Sequence, residues 1–172
     1  MSDVSRTFLD DSRAFLTQDY MPKIERCMSR LTDEQVWSKS DGASNSIGHL
    51  LLHLAGSTRY WAIEVIGGSS IGRIRQREFE PPGAVPPNRL MSDLRAVVEE
   101  VDRLLAELPV AVLLDERAVR EQRATVLWCV YHIVEHFSMH TGQIISMTKA
   151  LVGDLSSQES HSEASRGTSP SR

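Results

Sequence analysis

The segment Thr125-Val-Leu-Trp-Cys-Val-Tyr-His-Ile-Val-Glu-His-Phe-Ser-Met-His-Thr-Gly-Gln-Ile-Ile-Ser-Met-Thr-Lys-Ala-Leu151 decides the fold. Val126, Val130, Ile133, Phe137, His140, Ile144, Met147 and Leu151 follow a 4-3 spacing, the mark of a helix that presents one stripe to a core. Its opposite side is also rather apolar, so this helix is expected to be the most buried in the molecule. Gly153 supplies the stop.

Three further stretches carry the same period. Leu90, Leu94, Val97, Val101, Leu104 and Leu108 form a seam in a helix that opens at Pro87 or Asn88 and closes before Pro109. Ile47, Leu50, Leu54, Thr58, Trp61 and Val65 form another, opened by the capping residues Ser44-Asn45-Ser46 and ended by Gly67-Gly68. The first helix, from about Ser5 to Leu31, places Leu9, Leu16, Tyr20, Ile24, Cys27 and Leu31 on one side. Pro22 predicts a kink or break near Tyr20-Met21, because its ring removes a donor and crowds the preceding turn. Thr32 and Gln35 then read as a capping box over a short turn. Nothing reads as a strand. Four amphipathic helices make an all-α four-helix bundle with long loops, whose connectivity the loop lengths leave open.

The chain has 172 residues, with 19 Lys and Arg against 23 Asp and Glu, a formal charge of −4 and 41% hydrophobic residues. That is enough for one domain with its own core. Mild acidity argues against a phosphate-backbone binder, so no nucleic-acid partner is expected. No apolar run approaches the roughly 20 residues of a membrane span, and the N-terminus has no apolar signal region. Cys27 and Cys129 stand alone, so a reducing, cytoplasmic setting is expected, with Cys129 a small buried hydrophobe. Residues 1–152 read as the domain. Residues 153–172, rich in serine and nearly devoid of apolar residues, read as a disordered tail.

Five of the six histidines lie on two helices: His49 and His53 on the second, His132, His136 and His140 on the fourth. Steps of four residues advance the direction by about 40°, so each set lines one side of its helix. Two imidazoles at i and i+4, joined by a third from a facing helix, can hold one cation and leave a position open. A lone core histidine is usually a packing residue. Five on two apolar helices are harder to bury without a purpose. Gln143 lies a short turn from His140 and either holds its ring by a hydrogen bond or faces solvent. Gly142, costly in mid-helix, is expected to admit a close approach by another backbone. Arg73, Arg75 and Arg77 in the long loop between Gly68 and Pro87 could meet an anionic substrate if that loop covers the histidines, but are expected rather to be solvated or paired with Glu78 and Glu80.

The segment Asn45-Ser-Ile-Gly-His-Leu-Leu-Leu-His53-Leu-Ala-Gly56, with Trp61 downstream, resembles the second helix of the DinB/YfiT-like superfamily. The segment His132-Ile-Val-Glu-His136-Phe-Ser-Met-His140-Thr-Gly-Gln143 resembles that superfamily's last helix, in which an HxxxH pair precedes Gly-Gln. Tyr20-Met-Pro-Lys-Ile24 and Arg75-Gln-Arg-Glu-Phe79 are similar to a related branch, and the likeness spans residues 1 to about 152. It implies a bundle holding a divalent metal, zinc or nickel, on His53, His136 and His140. His49 and His132 are then one turn displaced, packed behind the ligands or able to replace one. Met139 departs from the pattern, since many relatives carry a histidine there.

Some relatives transfer a low-molecular-weight thiol to a small electrophile. The resemblance therefore implies a thiol S-transferase whose metal activates the thiol. No residue identifies the thiol, and no catalytic residue is assigned: Glu135 points about 100° away from His136 around the helix. A metal-dependent hydrolase and a non-catalytic, stress-associated metal binder are the alternatives. An apolar helix face would also serve a homodimer, and the sequence does not say which face.

Overall fold

A computed structural model describes residues 4–41, 44–80 and 85–153. Four long helices form the bundle. Helix α1 covers residues 4–28: Val4–Ala14 and Met21–Met28 are α-helical, and the intervening Phe15–Tyr20 is wound as a π-helix. The helix meets Pro22 by widening rather than breaking. Met21 N–H reaches back to Leu16 O, five residues away, and the next residue in line to donate is the proline, which cannot. Helix α2, Asp33–Trp37, is the short turn expected from its capping box, with both reciprocal bonds between Thr32 and Gln35 formed.

Helix α3 covers residues 47–66, with Ile47–Arg59 α-helical and Tyr60–Ile66 a second π-helical stretch. It ends as expected, with Gly68 in the left-handed region at φ +76. The long connection that follows is not featureless, because it folds a single helical turn, α4, at Gln76–Phe79. Helix α5 is Pro87–Glu107, and helix α6 is Val126–Val152, capped by the Thr125 hydroxyl and stopped at Gly153. Helices α1 and α3 each pack against both α5 and α6, so α1 faces α3 across the bundle and α5 faces α6. The chain thus crosses the bundle twice, from α1 to α3 and from α5 to α6.

The core holds Leu9, Leu16, Ile24, Leu50, Leu54, Leu94, Val101, Ile133 and Phe137, all essentially without solvent exposure. Truncating Phe137 to alanine would cost about 3–5 kcal/mol. Arg13 clamps Asp102 with two bonds of 2.9 and 3.3 Å, tying α1 to α5. Arg6 donates to the carbonyls of Leu105, Ala106 and Leu108, which have no partner within α5.

Three expectations are corrected. Helix α6 is not the most buried: Leu127, Trp128, Tyr131, Met139 and Leu151 on its outer side are exposed. Helix α3 is, with nine of the thirteen residues of Ile47–Arg59 buried. There is also strand. Glu116–Val119 (β1) and Gln122–Thr125 (β2) pair antiparallel in the register Glu116↔Thr125 to Val119↔Gln122, around the turn Arg120-Glu121. The hairpin is polar and lacks a glycine or asparagine at its turn, so Arg120 itself takes the left-handed conformation, at φ +53. Finally, a Cβ at Gly142 would meet nothing within 4 Å, so this glycine admits no neighbour. The tail from residue 154 onward lies outside the described residues.

Candidate metal centre

Helix α3 places His53 opposite His136 and His140 of α6. Their ring nitrogens lie within 4.8 Å of one another and could hold a metal ion. His136 Nε2 stands 3.2 Å from His53 Nε2 and 3.2 Å from His140 Nε2. Tetrahedral coordination at zinc–nitrogen distances of about 2.0–2.1 Å would set neighbouring nitrogens about 3.3 Å apart, so the donor set fits a cation of that size.

The protonation of the rings is dictated from behind. His53 Nδ1 lies 2.9 Å from a Glu78 carboxylate oxygen, which can only accept, so the ring proton sits on Nδ1 and Nε2 offers a lone pair. His140 Nδ1 lies 3.0 Å from Gln143 Oε1, an acceptor, and the same reasoning applies. Of the two readings of Gln143, the structure shows the hydrogen bond. One proton on His136 Nε2 could serve one neighbour, whereas a cation would serve all three nitrogens.

Electrostatics favour the neutral rings of His136 and His140. Burial pushes the His136 pKa down to about 3, helped by His140, His53, His132 and Arg73 nearby. Burial also lowers His140, against the opposing bond from Gln143. Glu78 behaves differently. Burial favours its neutral form, but the bonds from His53 and Arg73 outweigh that and hold it below the usual carboxylate range. Arg73 grips Glu78 with two bonds of 2.6 and 2.9 Å.

Glu78 is the partner that the sequence did not disclose as such. It lies on α4, 25 residues from His53, and its seat depends on Gly56, where any Cβ would collide with its carboxylate. Gly56, rather than Gly142, thus admits the close approach at the cluster, as Gly48 does for the Trp37 ring.

The other two histidines stand elsewhere. His49 is the third residue of α3: its Nδ1 accepts from the Ser46 backbone N–H at 3.1 Å, completing a capping box, and its ring meets the edge of Trp37. It does not line the cluster. Burial, then Lys39, lowers its pKa. His132 stacks on Trp128, with planes 11° apart and centroids 4.9 Å apart, while Trp61 meets both rings edge-on. Its ring lies 5.5 Å from that of His136, beside the cluster. Cys129 is fully buried, as expected of a small hydrophobe.

The cluster opens into a cavity of about 560 Å³ beneath the hairpin, floored by His53 and His136. Two of the three loop arginines, Arg73 and Arg75, line it. A family model described as mycothiol-S-transferase matches residues 8–147. The chain belongs to that family. The family is DinB/YfiT-like, in agreement with the histidine segments. No curated protein matches the chain significantly. Among the described residues, no helix is long and apolar enough to cross a membrane.

Proposed function

We propose that this protein is a metal-dependent S-transferase that joins mycothiol, the thiol in the family's description, to a small electrophile. His53, His136 and His140 would hold a divalent cation, zinc or nickel, through Nε2. The observation that carries the reading is the pair of Nδ1 anchors, Glu78 and Gln143, which turn two Nε2 lone pairs toward a third ring. A divalent cation held there supplies the Lewis acidity that makes a thiolate available at neutral pH.

The protein's own residues do the rest. Neutral imidazoles leave the cation its full charge, the cavity of about 560 Å³ gives reactants access to the cluster, and the Trp61–Trp128–His132 wall supplies one apolar side. As the carbon–sulfur bond forms, the leaving group departs with its electron pair and the thiol proton passes to solvent. A structural site would be coordinatively full. Among the described residues, the two remaining histidines are engaged elsewhere, His49 in its cap and His132 against Trp128.

Elemental analysis of untagged protein purified without chelator is expected to give about one equivalent of divalent metal per chain. Metal-stripped protein should fail to conjugate mycothiol to 4-chloro-3,5-dinitrobenzoate and recover with zinc or nickel. Absence of metal after incubation and washing, or turnover indifferent to stripping, would overturn the proposal.

A further inference from the structure

The cavity beside the histidines has two unlike walls. One is aromatic: Trp128, 45% exposed, lies flat on His132 with Trp61 edge-on to both, so one indole face is braced and a broad apolar surface is left to the cavity. The other is cationic. Arg73 is neutralised by Glu78, but Arg75 and Arg120 have no carboxylate partner among the described residues. Arg75 is held over the Phe79 ring at 5.8 Å, and Arg120 is presented at the hairpin tip in a left-handed conformation. Against them stands a single acid among the described lining residues, Glu121, which leaves the wall with surplus positive charge.

An indole face recognises a flat, polarisable ring, and guanidinium groups recognise an oxyanion. A ligand that satisfies both walls must carry both features. We propose that the electrophile accepted by this chain is a planar aromatic anion, its ring against Trp128 and Trp61 and its acidic group on Arg75 and Arg120. Calling this ligand a substrate rests on the transferase reading, but its recognition does not. The electrophile would then lie over His53 and His136, within reach of a thiol held at the cluster.

The test is equilibrium binding by calorimetry, without thiol, on metal-loaded and metal-stripped full-length protein. Naphthalene-2-sulfonate is the probe, because a sulfonate is a poor metal ligand. Methanesulfonate carries the charge without the ring, and 2-naphthylmethanol the ring without the charge. Naphthalene-2-sulfonate should bind in both metal states, and each control about ten-fold more weakly or worse. Trp128→Leu, and separately the Arg75→Gln/Arg120→Gln double variant, should each weaken it about ten-fold. Should the double variant fold poorly, Arg120→Gly, which suits the positive φ, replaces Arg120→Gln. Three results would each overturn the proposal: equal binding of sulfonate and uncharged ring, wild-type affinity in the arginine variant, or binding that vanishes with the metal. Binding as expected with no thiol transfer would sink the transferase reading and leave the pocket assignment standing.

Discussion

His49 and His53 stand one turn apart on the same helix and carry their protons on opposite nitrogens. At the helix start, the Ser46 N–H can only donate, so His49 Nδ1 must accept and its proton belongs on Nε2. One turn later, Glu78 can only accept, so His53 keeps its proton on Nδ1 and frees Nε2. One lone pair is consumed by the backbone and the other is aimed at His136. A shared residue type and a shared helix face thus say little about metal binding. What distinguishes the two rings is the group behind each.

The largest expected effect follows directly. His53→Ala, His136→Ala and His140→Ala should each abolish stoichiometric metal binding, whereas His49→Ala and His132→Ala should retain most of it. Metal per chain after dialysis measures the contrast. Equal loss across all five variants would mean that the division between cap and cluster is wrong.

Next in size is the anchor. Glu78→Gln keeps the shape but weakens the hold on His53 and Arg73, and should lower metal affinity by about 10–100-fold, as for other groups that orient a ligand from behind. A competition titration with a coloured chelator would read it. An unchanged affinity would show that His53 is oriented by packing alone.

A comparison of two glycines sharpens the same point. Gly56→Ala drives a methyl group into the Glu78 carboxylate and should reproduce the affinity loss of Glu78→Gln in direction, by about ten-fold. Gly142→Ala, on the exposed face with open space around it, should leave metal binding alone and stabilise the fold by up to about 1 kcal/mol. Chemical denaturation and the chelator titration together separate the two outcomes.

That contrast also marks the boundary of what the sequence carries. The seams at Leu90–Val101 and Val126–Ile144 could be read because helical burial is periodic over local distances, although beyond Val101 it is Leu105 that is buried rather than the Leu104 and Leu108 of the expected seam. Gln143 could be proposed for His140 because three residues on a helix fix the geometry. Glu78 could not be paired with His53, since only the folded loop brings α4 against α3. The hairpin was hidden because its strands, Glu116-Arg-Ala-Val119 and Gln122-Arg-Ala-Thr125, fully bury no residue and carry no apolar alternation, and its turn uses Arg120 where glycine or asparagine would signal it. The second capping box escaped notice because His49 fills the place usually taken by Glu or Gln.

The smallest effect concerns that cap and its response to acid. Burial holds the His49 pKa below its ordinary value of about 6.5, with Lys39 adding to it. As pH falls below 6.5, the unfolded chain takes up a proton that the folded chain resists, so stability falls with pH until the folded pKa is reached. The slope from one such group is at most about 1.4 kcal/mol per pH unit. His132, His136 and His140 are lowered too, so metal-stripped protein should lose thermal stability steadily from pH 7 to pH 5. His49→Gln restores the usual capping-box acceptor for the Ser46 N–H without a titrating group. It should therefore match the parent near pH 7 and lose less between pH 7 and pH 5. Parallel curves for the two proteins would mean that the cap tolerates a protonated ring, and that the opposed tautomers of His49 and His53 are not enforced by their partners.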